Sequence, residues 1–227
     1  MSHNGNGTRN SNGSHRWWQV WKRGRDLDLT AYRRLALQLH LGLPRGGEHS
    51  RSVLMVTPNA SDFCANGSIT LASCIAEELR RPVLLVDAGN EAEVSRLLGS
   101  PASQGLTEFL SDPMRPLQDL ALPTSQNNVW FLSRGSGQTP PFAASPENAH
   151  NLLVKSARQW DFVLVTGGPV LKNSLALAMA PHVGRVLLLV IENHSQIDDI
   201  DAAQNALEQC GARNISLVLS QLHAAVR

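Results

Sequence analysis

Between Ser52 and Leu79 the sequence contains no lysine and no arginine, and its only glycine is Gly67. The segment otherwise has the form of a phosphate-binding βα unit. An apolar strand, Val53–Val56, leads into a loop, Thr57–Asn66, and then into a helix with small side chains. Such a loop holds nucleotide phosphates with backbone N–H groups, glycines and one lysine. The segment therefore predicts the architecture of a nucleotide-handling unit without the charge that contacts the nucleotide.

Long hydrophobic runs are also lacking. The longest, such as Val186–Ile191, are far too short to span a bilayer. The N-terminus has no apolar region of the signal-peptide kind. These two absences favour a cytoplasmic protein over an integral membrane or exported one.

The chain also has few cysteines and a small net charge. Cys64, Cys74 and Cys210 are odd in number and lack metal-like spacing, which predicts reduced thiols and no metal centre. The histidines are scattered, with neither metal nor catalytic-triad spacing. A net charge of +1 gives no global field for nucleic acid, so we expect no nucleic-acid partner.

Apolar strand patterns alternate with amphipathic helical patterns along most of the chain. The strand patterns have little polar alternation, as in strands covered on both faces. This regularity predicts an α/β fold with a three-layer, doubly wound, mostly parallel sheet. Ligands of such sheets bind at the carboxyl ends of the strands, here after Thr57, Asp87, Thr166 and Ile191. The predicted strands are 53–57, 83–87, 128–132, 161–166, 185–191 and 215–219, and the predicted helices are 67–80, 146–159, 172–180 and 197–210.

The chain length of 227 residues suits one such domain with a tail. Residues 1–15 are almost free of apolar side chains, and we predict that residues 1–25 form a disordered tail carrying a Trp and basic patch. Residues 26–227 are predicted to form a single domain. It opens with a helix over Asp28–His40, which a linker at 43–50 joins to the first strand.

In order and spacing, these segments resemble the cytoplasmic domain of the bacterial tyrosine autokinases, the P-loop proteins of capsule and exopolysaccharide export. The resemblance runs from about Leu29 to Ser220. It implies a P-loop fold that binds ATP and magnesium, with a second acidic motif ending at Asp87. The segments that carry it are Thr30–Leu35, Val56–Asn59, Val83–Ala88, Gly105–Ser111, Asp161–Thr166 with Pro169–Val170, and Gly211–Arg213.

The departures from this family lie where its chemistry is done. The position of the family's lysine is Cys64 counted from Pro58, or Ala65 counted from Asp87. The magnesium-holding Ser or Thr becomes Ala65 or Asn66, and the aspartate of the third motif becomes Thr166. Loop glycines are replaced by residues such as Ser61 and Phe63. We therefore expect a vestigial nucleotide pocket with no cofactor, the alternative being ATP with magnesium; its residues are Asn59, Ser61, Cys64, Asn66, Asp87 and Thr166.

Some residues of this region keep two interpretations. Cys64 and Phe63 either pack a remodelled loop or serve catalysis. Asp87 either belongs to a magnesium site, as in the family, or caps the segment that starts at Ala88. Lys172 either replaces the missing cation or is a solvated lysine near a helix start. The acids Asp198, Asp199 and Asp201 either suit a helix dipole or bind metal.

The helix from Asp28 also departs from the family. The family joins neighbouring subunits through a Glu and two Arg on the helix before the first strand, and the corresponding residues here are Thr30, Arg33 and Ala36. A patch over 16–25 with three tryptophans and four basic residues offers another contact. It suits a membrane interface, a partner's pocket, or a cap folded onto the domain. The predicted contact residues are Trp17, Trp18, Trp21, Lys22, Arg23 and Arg33.

The sequence and the resemblance together predict a non-catalytic scaffold or regulator in bacterial exopolysaccharide or capsule assembly. We expect it to dock on a membrane-embedded chain-length or export protein, in the cytoplasm and peripheral to the inner membrane. The alternative is a divergent ATP-binding autokinase or ATPase of the same pathway. A third class, the positioning ATPases, is disfavoured because it also needs phosphate-loop lysines.

Overall fold

The computed structural model describes residues 29–43, 51–59, 63–99, 104–136 and 145–220. Within them the strands are β1 (Ser52–Thr57), β2 (Val83–Asp87), β3 (Leu122–Pro123), β4 (Val129–Leu132), β5 (Phe162–Pro169), β6 (Arg185–Ile191) and β7 (Ile215–Ser220). The helices are α1 (Leu29–Gly42), α2 (Phe63–Glu78), α3 (Glu93–Leu98), α4 (Leu106–Ser111), α5 (Pro146–Ala157), α6 (Ser174–Met179) and α7 (Ile197–Gln209). The predicted tail, the linker over 44–50 and Ser61 lie outside the described residues.

One sheet organises the domain, with its strands in the order β3-β4-β2-β5-β1-β6-β7. Every neighbouring pair is parallel except β3 with β4, which is antiparallel. Alternate residues of the central strands enter two separate apolar cores, as the period of two along a strand requires. One core contains side chains of α1, α2 and α3, and the other contains side chains of α4 to α7. The three-layer, doubly wound fold predicted from the sequence is confirmed.

All six predicted strands are present, and β3, a two-residue antiparallel edge strand, is an addition. The short helices α3 and α4 were not predicted, because six residues are too few to show a 3.6-residue period. One boundary differs in a way that affects the site: α2 begins at Phe63, four residues before the predicted start. Cys64, Ala65 and Asn66 therefore lie in a helix and not in a loop.

Strand β5 is longer than predicted and carries an irregularity at its end. In the register with β1, Met55 is opposite Thr166 and Val56 is opposite Gly168, so Gly167 is an extra residue. A Cβ on Gly167 would lie 2.8 Å from the Cβ of Ala176 and 2.9 Å from Cγ1 of Val56. Gly168 has a φ of +61°, which favours glycine. The pair thus allows β5 to bulge toward α6 at the carboxyl end of the sheet.

Candidate functional site

The candidate site lies at the carboxyl ends of three adjacent strands, β1, β5 and β2. Thr57 ends β1 and Asp87 ends β2, while Thr166 of β5 is paired in register with both Met55 and Asp87. The sheet therefore brings together three of the four strand ends that the sequence singles out. This is where a P-loop protein holds its nucleotide phosphates.

The position of the expected lysine is sealed inside the protein. Cys64 and Ala65, in the first turn of α2, are both 0% exposed. The thiol of Cys64 donates a hydrogen bond to the backbone oxygen of Met55 at 3.3 Å, so its side chain points toward the sheet. Burial raises the pKa of this thiol to about 12, and the nearby charge of Glu93 adds to the effect. Cys64 is therefore a neutral packing residue at ordinary pH and a poor nucleophile.

The asparagines of the predicted pocket have protein partners. Asn59 donates its side-chain N–H to Oδ2 of Asp199 at 2.8 Å, and its backbone oxygen accepts from Oγ1 of Thr57 at 2.9 Å. The first contact joins the end of β1 to the first turn of α7. Asn66 is half-buried in α2, where its backbone oxygen accepts from Thr70. The side-chain amide of Asn59 is thus engaged by a carboxylate of α7.

Gly67, the one glycine of this segment, serves helix packing. A Cβ on Gly67 would lie 2.9 Å from the hydroxyl of Tyr32 on α1, and 3.6 Å from the sulfur of Met55. Tyr32 is held between α1 and α2, and burial raises the pKa of its hydroxyl far above the ordinary value. The glycine lets α1 approach α2 closely, which is a different task from admitting a phosphate.

Asp87 is fully buried and holds the start of α3. Its Oδ2 accepts hydrogen bonds from the backbone N–H and the hydroxyl of Ser95, both at 2.7 Å, and its Oδ1 accepts from the N–H of Gly89 at 3.2 Å. Ala92, the N-cap residue of α3, makes no side-chain cap and has a left-handed φ of 51°. Asp87 lies outside α3, yet it accepts a hydrogen bond from an N–H of the helix's first turn. This agrees with the capping interpretation.

Electrostatics at Asp87 are set by opposing effects. Burial raises the pKa of the carboxyl, while the hydrogen bonds from Ser95 and Gly89 and the charge of Arg134 pull it down. Burial also lowers the pKa of the Arg134 guanidinium, and Asp87 opposes that shift. The half-buried Arg134 follows β4, and its backbone N–H donates to the hydroxyl of Ser95 at 3.0 Å. The site thus contains a cation that the sequence analysis did not identify.

Asn173 joins the loops after β2 and β5. It is 1% exposed and donates to the backbone oxygens of Ala88 at 2.8 Å and Gly167 at 2.7 Å. Its side-chain oxygen accepts from the N–H groups of Leu175 and Ala176, which caps α6. A second link joins the N–H of Ala88 to the oxygen of Thr166. We call Asp87, Ser95 and Asn173 with these backbone partners the β2–β5 network.

Sequence reasoning missed four residues of the site. Glu93 and Ser95 lie in α3, a helix that was not predicted, Arg134 follows β4, and Asn173 precedes α6. Glu93 is 6% exposed, and its Oε2 would lie 3.8 Å from a Cβ on Gly168. An Asn before a short helical run is an N-cap signal that could have identified Asn173. The order of the strands is what places Arg134 near Asp87, and no local pattern contains it.

Two predicted residues retain the capacity for a ligand contact. The hydroxyl of Thr166 is buried and has no hydrogen-bond partner among the described residues. Lys172 is exposed at the end of a short 3₁₀ segment, where its backbone oxygen accepts from Asn90 at 2.6 Å. Within the described ranges, no group of three or more His, Cys, Asp or Glu side chains is placed to hold a metal ion. Asp87 and Thr166 lie opposite each other in the register of β2 with β5.

The predicted contact surface is described only at Arg33. Its Nε lies 2.8 Å from Oε1 of Glu78, at the last turn of α2, and both side chains are about half exposed. An exposed pair of this kind contributes about 0–1 kcal/mol, so it leaves Arg33 available to a partner. Trp17, Trp18, Trp21, Lys22 and Arg23 lie outside the described residues. None of the described helices is both long and apolar enough to cross a bilayer.

Comparison with known proteins finds that the chain is similar to a bacterial tyrosine kinase. Over 206 residues the chain is 26% identical to the tyrosine-protein kinase Wzc of Salmonella typhi, a match that covers 87% of this chain and 27% of Wzc. The chain thus spans about a quarter of the length of this relative. No protein-family model matches the sequence.

Two solved structures share the fold. The kinase domain of the Escherichia coli tyrosine kinase ETK has a TM-score of 0.75 and 22% identity, covering 87% of this chain and 77% of that one. The VpsO kinase domain has a TM-score of 0.71 and 19% identity, covering 95% of this chain and 100% of that one. The sheet and its flanking helices therefore share the P-loop NTPase fold of these two domains.

Proposed function

We propose that this chain is a member of the bacterial tyrosine kinase family that uses the kinase-domain fold without phosphoryl transfer. It serves as a scaffold or regulator in bacterial exopolysaccharide or capsule assembly. Its partner is a membrane-embedded chain-length or export protein of the same pathway. The pathway and partner come from the family resemblance, and the loss of catalysis comes from the residues of the site.

The observation that carries the proposal is the sealed position at Cys64. Phosphoryl transfer depends on positioning and on cations that stabilise the transferring group. Here the lysine position is a thiol with no exposed surface, directed at the backbone of β1. No lysine or arginine lies anywhere from 52 to 79 to replace it. A nucleotide at this end of the sheet would lack its main phosphate contact.

The charge around the site adds support. Asp87 and Glu93 are buried there, and Asp199 holds Asn59 at the end of β1. The two buried carboxylates, Asp87 and Glu93, disfavour a polyphosphate at these strand ends unless metal ions compensate them. The β2–β5 network moreover occupies the carboxylate of Asp87 with N–H and O–H donors, which leaves it less able to bind magnesium or its water.

Titration calorimetry with ATP and magnesium tests this proposal. We expect no saturable heat with ATP or ADP, because neither the lysine nor the loop glycines are present. A dissociation constant at or below about 10 μM, roughly 7 kcal/mol of binding, would contradict it. Thermal melting with and without nucleotide is the second measurement, since a ligand that binds only the folded state raises the midpoint.

The alternative is a divergent ATP-binding autokinase or ATPase, and two observations favour it. Arg134 places a cation near Asp87, and the hydroxyl of Thr166 is buried with no partner in the described part of the chain. In that case Arg134→Gln abolishes nucleotide binding, whereas the exposed Arg213→Gln leaves it intact. Tyr32, the one tyrosine, is a poor phosphate acceptor because it is half-buried and its hydroxyl lies against α2. Mass spectrometry after incubation with ATP decides whether Tyr32 is modified.

We propose that Trp17, Trp18 and Trp21, with Lys22, Arg23 and Arg33, contact the partner or the membrane surface. The protein is then cytoplasmic and peripheral to the inner membrane. Replacing the three tryptophans by alanine should release the protein from the membrane fraction with little change in melting temperature. Anionic vesicles should shift their fluorescence to the blue, less so at high salt, once Trp130 and Trp160 are replaced by Phe. A large loss of stability without a change in fractionation would show that the tryptophans cap the domain.

A further inference from the structure

A groove lies on the face of the sheet between α1 and the edge strand β7. Its volume is about 520 Å³, within the range of small-molecule pockets. The floor is formed by Leu39, Leu187 and Leu189, each no more than 2% exposed. Tyr32, Leu35 and Val218 contribute half-buried apolar walls. Nothing in the proposed function uses this groove.

The apolar lining of the groove also contains the cationic side chain of Arg185. Arg185, the first residue of β6, is half-buried, and its Nη1 donates to the hydroxyl of Ser216 at 3.1 Å. Its Nε is buried without a hydrogen-bond partner, and no carboxylate of the described residues lies within ion-pair distance of it. A partly buried guanidinium with an unpaired N–H is costly unless an anion reaches it. The groove therefore combines an apolar floor with a guanidinium, that of Arg185, whose Nε–H has no hydrogen-bond acceptor among the described residues.

We propose that this groove binds a single-chain amphiphile with an anionic head group. The aliphatic tail lies along Leu39, Leu187 and Leu189, and the head group pairs with Arg185 beside Ser216. A polar neutral ligand would leave the guanidinium without a counter-charge, and an anion without a tail would leave the apolar floor in contact with water. The ligand class follows from this pairing of surfaces, and it is independent of the proposed scaffold function.

Calorimetric titration of the full chain with decanoate, and with decan-1-ol as the neutral match, tests the proposal. Decanoate should bind with one-to-one stoichiometry, more tightly than the alcohol. Arg185→Gln should weaken decanoate binding about tenfold and leave binding of the alcohol unchanged, since it removes only the charge pairing. Val218→Phe should weaken both ligands because it fills the groove. Arg213→Gln is the matched control: it removes an exposed arginine outside the groove lining and should change neither.

Three results overturn the proposal. If the full chain shows no saturable binding, the groove is closed or filled by the protein itself. If Arg185→Gln has no more effect than Arg213→Gln, the head group is not recognised there. If Val218→Phe leaves both affinities unchanged, the ligands bind elsewhere. Circular dichroism melting of each variant shows that the fold is kept, and decyl phosphate then distinguishes a phosphate head group from a carboxylate.

Discussion

Two regions meet at the carboxyl end of the sheet and have opposite character. The start of α2, which follows β1, is apolar and buried. Cys64 and Ala65 have no exposed surface, and Gly67 allows α1 to pack close to α2. The β2–β5 network remains polar, with Asp87 and Asn173 each making at least three hydrogen bonds. Its polar side chains hold helix starts and neighbouring loops. In this domain, polar groups at the strand ends are kept where the backbone needs them.

The largest effect on this comparison is expected when a lysine replaces the buried Cys64. Cys64→Lys should destabilise the protein by about 3 kcal/mol or more, because a longer charged side chain must enter a position with no exposed surface. It should confer no nucleotide binding. Urea unfolding measures the free energy, and Cys210→Lys, the same change at an exposed cysteine, should lie within about 0.5 kcal/mol of the parent. Unchanged stability together with new ATP binding would mean that the pocket is still organised for phosphate.

On the polar side, Asp87→Ala should cost about 3 kcal/mol, since it leaves the buried N–H groups of Ser95 and Gly89 without an acceptor. The exposed Asp201→Ala is the control and should be nearly neutral. Hydrogen exchange should show faster exchange across α3 in the Asp87 variant. If stability is retained while only nucleotide binding changes, Asp87 belongs to a metal site and the capping interpretation is wrong.

A smaller effect is expected at the contact between α1 and α2. Gly67→Ala should cost about 2 kcal/mol, because the added Cβ meets the hydroxyl of Tyr32 at 2.9 Å. Tyr32→Phe should recover much of this loss in the double variant, which a double-mutant cycle of thermal unfolding detects as a coupling free energy. Additive effects of the two changes would show that Gly67 is needed for another reason.

The smallest change is expected at Thr166. Thr166→Val should alter stability by less than about 0.5 kcal/mol, or raise it slightly, because the buried hydroxyl has no partner among the described residues. Thr57→Val should cost about 1 kcal/mol, since its hydroxyl donates to Asn59. Chemical denaturation compares the two. A clear loss at Thr166 would indicate that this hydroxyl has a role that the geometry does not reveal.

Much of the fold followed from the sequence because the central strands are nearly continuous in Val, Leu and Ile. Such runs identify buried parallel strands by composition alone. Helix starts were harder to predict: α2 begins at Phe63 because Cys64 and Ala65 can be buried, and burial depends on the facing β1. The resemblance to a phosphate-binding loop predicts that Cys64 and Ala65 belong to the loop Thr57–Asn66, which was wrong.

The site was predicted only in part. The ends of β1 and β2 were located correctly, and Thr166 lies beside them although β5 continues to Pro169, because parallel strands end at one edge of the sheet. Arg134 was not found, since it is 47 positions beyond Asp87 in the numbering and reaches it only through the pairing of β2 with β4. Asn173 was missed because its four partners belong to three different segments.

The close fit around Cys64 also bears on the history of the protein. A lysine could return there only if neighbouring side chains of β1 and α2 had already made space, and each of those changes would by itself loosen the core. Under the proposed loss of phosphoryl transfer, the path back to an active enzyme passes through less stable intermediates. Under that proposal, selection can refine contacts with a partner, while a single return of lysine at Cys64 lowers stability and restores no phosphate contact.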